Sequence, residues 1–179
     1  MTAFEFLSVL ISILLGLGLT HVVGGLVRAI HLRQLQEVHV VYTAFTFMVL
    51  VLNWWTFFSW HDQALWRFDD FLLLIFWALS FYLLAVTLYP PSVESAPTHD
   101  THHRWFLWAL CGACVLDIAQ YAVRGELFTT RYYLPFVLQY IGFALLAIMV
   151  RSTVLRRAVA WWFLISIVVW SFVVRRFLA

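Results

Sequence analysis

The sequence predicts an all-α, polytopic transmembrane bundle of about six membrane-spanning helices. The chain is 64% hydrophobic and 11% charged, with a mean hydropathy of +0.91, far from the composition of a soluble domain. Its apolar residues also gather into six stretches of spanning length, because a hydrocarbon core of roughly 30 Å takes about 20 helical residues. These stretches lie near residues 4–31, 38–60, 70–90, 105–123, 132–150 and 158–177. No soluble domain is left over, so 1–179 reads as one transmembrane domain. The expected surroundings are therefore the lipid bilayer of a cell membrane, crossed several times.

The first stretch has no basic leader or small-residue cleavage site and reads as a retained helix. Its segment "ISILLGLGLTHVVGGLVRAI" carries four glycines, a threonine, a histidine and an arginine, groups that help neither helix propensity nor lipid solubility. Ser12, Gly16, Thr20, Gly24 and Arg28 recur at steps of four. Small residues at that spacing let a second helix approach closely, so Gly16, Thr20 and Gly24 are expected to form a helix-packing face, with Leu15, Leu19, Val22, Leu26 and Ile30 toward lipid. Glu5, His21 and Arg28 are ionisable groups on a membrane helix, and such groups are functional candidates by default.

Helix 2 places Tyr42, Thr46, Asn53 and Thr56 roughly along one side, and the following "HDQALWRFDD" has the aromatic and acidic mix of an interfacial segment. Helix 3 stops at the prolines of "YPPSVESAPTHDTHHR", the one long polar loop. On helix 4, Asp117, Gln120, Tyr121 and Arg124 stand at i, i+3, i+4 and i+7 and so share a face. Asp117 lies about two turns inside the membrane, where a carboxylate needs a partner or a raised pKa. Helix 5 adds Gln139 and Tyr140. Two readings stand open: these groups and His21 line one polar interior, or each is a separate bond between helices worth about 0.6–2 kcal/mol. Many of the ten tryptophans fall near helix ends, where indole rings anchor at the headgroups.

Orientation follows arginine, since the chain has no lysine. The two sides are close to balanced, but "RSTVLRR" is the densest short loop and "HDQALWRFDD" is net acidic, which favours both termini outside the cytoplasm. A net charge of +2 gives no basic patch for nucleic acid.

Two motifs promise more than they carry. "CGAC", Cys111 to Cys114, has dithiol spacing, but thiol oxidases of membranes use further cysteines to pass electrons on and this chain has only two. "HDTHH" places His99, His102 and His103 at the spacing of one histidine box, a weak metal candidate without a second box, and a solvated loop is the simpler expectation. No cofactor is expected.

Together, "FEFLSVLISILLGLGLTHVVGGL", "LNWWTFFSW", "AVTLYPP" and "HHRWF" resemble small six-helix integral membrane proteins of bacteria, over roughly residues 3–110. That resemblance implies a bacterial inner-membrane protein but no activity, cofactor or partner. The density of intramembrane polar groups points first to a channel or transporter-like homo-oligomer with a polar route or cavity for a small ion, proton or solute. The alternatives are a structural or accessory subunit whose small face docks on a membrane partner, and a membrane redox or metal enzyme.

Overall fold

The structure, a computed structural model, describes residues 2–33, 36–61, 63, 65–90, 99–150 and 152–174, and of 99–102 the backbone alone. The described residues form α1 (Ala3–His31), α2 (Glu37–Phe57, prolonged by a 3-10 turn over Phe58–Trp60), α3 (Phe68–Leu88), α4 (His99–Val123), α5 (Tyr133–Met149) and α6 (Thr153–Val173). All are helical because in hydrocarbon every backbone N–H and C=O needs an internal partner. Five are long and apolar enough to cross a membrane, and α5 is apolar but only 17 residues long.

Helix ends follow local chemistry. Thr2 and Glu5 form a capping box at the start of α1, each side chain accepting from the other's backbone N–H (3.2 and 2.9 Å). Glu5 thus caps the start of α1. Gly125, at φ +70°, closes α4, with Glu126 N–H donating to the Tyr121 carbonyl and Gly125 N–H to that of Ala122 (both 3.0 Å). This double bond pattern needs a left-handed residue at its centre, hence glycine.

The helices alternate in direction. Phe4 of α1 stacks on Phe57 at the end of α2, while Glu37 at the start of α2 accepts from Trp161 near the start of α6. The start of α1 and the end of α6 therefore lie at one end of the bundle, here the terminal end. In cross-section α1, α3, α4, α5, α6 and α2 follow one another around a closed ring, and α2 also touches α3 across it. This leaves a compact α1–α2–α3 group beside a wider enclosure of α2 to α6.

Within the chain α1 packs through a different face from Gly16, Thr20 and Gly24, and Leu15 and Val22, expected toward lipid, are buried. Its buried residues are Leu7, Ile11, Leu15, Gly18, Val22 and Gly25, whereas Thr20 and Gly24 are exposed and a Cβ on Gly16 or Gly24 would meet nothing within 4 Å. The reason is helical drift: steps of four advance about 40° each, so a row of five wanders halfway round the helix. Steps alternating between four and three, as in Ile11–Leu15–Gly18–Val22–Gly25, stay on one side. The expected loop at "HDTHH" is corrected too, since α4 already begins at His99.

Candidate functional site

Near the terminal end, α4 turns its polar row into the bundle. The Asp117 carboxylate accepts from Trp77 Nε1 of α3 (2.9 Å), Tyr133 Oη of α5 (2.8 Å) and, at 3.4 Å, Gln120 Nε2 one turn along α4. Gln120 Oε1 in turn accepts from Trp60 Nε1 (3.1 Å), and both Gln120 and Trp60 are buried. One turn further, Arg124 donates to the Ser59 hydroxyl (2.7 Å) and carbonyl (3.2 Å), pairs with Glu126 (2.6 Å) and lies 5.1 Å from the centre of the Trp60 ring. Tyr121 stacks on Tyr133 at 4.0 Å. The row thus ties α4 to α3, α5 and the end of α2. Donors from three directions are what a carboxylate in hydrocarbon requires.

Beside this knot lies a cavity of about 70 Å³ within the α2–α6 enclosure, enough for more than one water molecule. Asn53, Thr56, Cys114, Asp117, Tyr133 and Tyr140 give it polar walls, and aromatic and aliphatic residues make the rest. Its lining includes Phe45 and Tyr140, which with Phe163 form a buried cluster of rings whose centres lie 5.1–5.6 Å apart.

No protein-family model, curated protein or solved structure matches the chain. The meaning of the cavity therefore rests on its geometry.

His21 lies elsewhere. Its Nε2 is 2.6 Å from the Tyr89 carbonyl, at the opposite end, where the Tyr89 ring covers Gly25, meets His39 at 4.6 Å and places its hydroxyl 2.8 Å from Thr43 Oγ1. Burial raises the Tyr89 phenol pKa, partly offset by the Thr43 bond, so the ring stays neutral at ordinary pH. His21 and Asp117 thus serve two different helix contacts, and His21 does not line the cavity that Asp117 shares with Asn53, Thr56 and Tyr140. Arg28 is exposed in the last turn of α1, where a cation complements the carbonyl ends.

Several hydroxyls and amides are satisfied inside their own helices: Thr46 donates to the Tyr42 carbonyl, Asn53 to that of Val49 and Thr20 to that of Gly16 (2.8–2.9 Å). Gln139 accepts from Trp162 Nε1 (3.0 Å) on the lipid side of α5 and α6. The side chains of His99 and His102 lie outside the described residues, and His103 packs 5.4 Å from the Tyr42 ring. Among the described residues no group of three or more His, Cys, Asp or Glu is placed to hold a metal. Both thiols are free and buried, and of the two only Cys114 lines the cavity.

Sequence reasoning missed Trp77, Tyr133, Trp60 and Ser59 as partners of the helix 4 row, and Tyr89 as the ring over Gly25. One signal was available: indole and phenol groups need partners when buried, and Asp117 is an acceptor with few rivals inside the bundle.

Proposed function

We propose that the protein is a membrane-embedded binding protein whose working site is the cavity beside Asp117, which receives a small cationic or hydrogen-bond-donating group. The observation that supports this reading is a carboxylate on the wall of a water-sized cavity, held in place by Trp77, Tyr133 and Gln120. A fixed acceptor in a low-dielectric surrounding attracts a donor or cation more strongly than the same group in water. The packed rings of Phe45, Tyr140 and Phe163 beside it support a pocket over a continuous pore. Passage to the opposite end would require those rings to move.

The test is calorimetric titration of ethylammonium into the detergent-solubilised protein and into Asp117→Asn. Saturable binding to the wild type, weakened at least tenfold by the substitution, is expected. Equal or undetectable binding by both contradicts the reading. It would leave the second reading, supported by the same bonds, in which Asp117 only locks α3, α4 and α5 together in an accessory module.

A further inference from the structure

Resting on that cavity reading, we infer that the ligand reaches Asp117 from the bilayer, between α5 and α6, and that it is a single-chain amphiphile with a small donating head: a long-chain amine or alcohol. The lipid-facing side of α5 and α6 carries a second hollow, a groove of about 280 Å³ bordered by Gln139, Trp162, Ile165, Ser166 and Val169. Ile165 and Val169 are 54% and 53% exposed, so in a membrane this groove faces acyl chains.

The groove and the cavity are separated by side chains alone. Phe136 and Trp170 line both, their rings stacked 4.0 Å apart with planes 10° from parallel. Beside them Tyr140, a cavity residue, lies 2.8 Å by its hydroxyl from Ser166, a groove residue. On this path the two spaces join by motion of these side chains. One ring must change rotamer and one hydroxyl pair must open, motions far faster than helix separation.

The two spaces differ as the two halves of an amphiphile do. The larger one is apolar and open to lipid tails, and the smaller one ends at a carboxylate. A head in the smaller space must be only a few heavy atoms across and must donate, because a carboxylate or phosphate would bring like charge against Asp117. An ammonium or hydroxyl group satisfies both conditions. Tyr140 and Ser166, freed from each other, would supply further hydrogen bonds along the path.

The experiment uses the full chain in lipid vesicles with three C16 probes carrying a photoreactive diazirine near the head: an amine, an alcohol and a carboxylate. Labelled peptides are mapped by mass spectrometry. Amine and alcohol should label the α4 wall around Cys114 as well as the groove, and the carboxylate should label the groove only. Val169→Trp and Ile165→Trp fill the groove from lipid-exposed positions. They should cut labelling of the α4 wall at least tenfold while leaving ethylammonium binding within twofold of wild type.

Labelling of α4 that survives both groove-filling variants would overturn the lateral path. Labelling confined to groove residues by every probe, with ethylammonium still bound, would refute the amphiphile and leave the cavity reading intact. Equal labelling of α4 by the carboxylate would refute the head chemistry. Absence of both α4 labelling and ethylammonium binding would remove the cavity reading and this inference together.

Discussion

The two ends of the bundle are joined by different physics. At the terminal end, α2, α3, α4 and α5 meet through polar side chains, with Asp117 accepting from Trp77 and Tyr133 and Arg124 reaching Ser59. At the opposite end α1, α2 and α3 meet through shape: the Tyr89 ring lies where a side chain on Gly25 would stand, with single bonds to Thr43 and His21 at its edges. The shape-based joint has no room for a side chain on Gly25, whereas the polar joint stands beside a cavity. The polar end thus sets a carboxylate beside room for a ligand, and a search for function belongs there.

The largest effect should come from breaking the shape-based joint. Gly25→Leu drives a side chain into the Tyr89 ring, an overpacking expected to cost about 3 kcal/mol, at the upper end of the usual range, read as a lowered unfolding midpoint in detergent. Adding Tyr89→Ala should recover part of that loss, since each substitution relieves the other's clash or void. Breaking the polar joint comes next. Asp117→Ala leaves the Tyr133 hydroxyl and Trp77 N–H without their acceptor and should cost about 2–3 kcal/mol, with Asp117→Asn lower in a range of about 1–3 kcal/mol.

His21→Ala removes one bond to a carbonyl and should cost about 1 kcal/mol, in line with single polar contacts in membranes. The smallest effect sharpens the comparison. Gly24→Leu, one residue from Gly25 but with nothing within 4 Å of its Cβ position, should leave the unfolding midpoint of the monomer within about 0.5 kcal/mol of wild type.

How much of this was legible in sequence depends on the range of the interaction. Helix positions were readable because spanning length and apolar composition are local, and α1 to α3 fall within three residues of the expected ranges at every end. Asp117, Gln120, Tyr121 and Arg124 were readable as one face because their spacing is local as well. Their partners were not, because Trp77 lies 40 residues from Asp117 and Ser59 lies 65 from Arg124, and nothing in the spacing of either links them. The inner face of α1 was misread because both of its faces are apolar, so hydrophobicity does not distinguish lipid from protein. The alternating four-and-three spacing of Ile11, Leu15, Gly18, Val22 and Gly25 was the better guide. The polar residues of α2 divide: Thr46 bonds within its own helix and does not line the cavity, whereas Asn53, which also bonds within the helix, lines the cavity with Thr56.

The measurement that tests the central claim most directly is the reactivity of Cys114, which lines the Asp117 cavity and is 7% exposed. In a Cys111→Ser background this thiol is the only one in the chain. Its rates of modification by a cationic ethylammonium and an anionic ethylsulfonate methanethiosulfonate reagent, compared in the same detergent, report both access and charge. A cavity governed by Asp117 predicts modification that favours the cationic reagent by tenfold or more, slows when ethylammonium is present, and loses its charge preference in Asp117→Asn. A thiol inert to both reagents, or a preference unchanged by Asp117→Asn, would contradict the account.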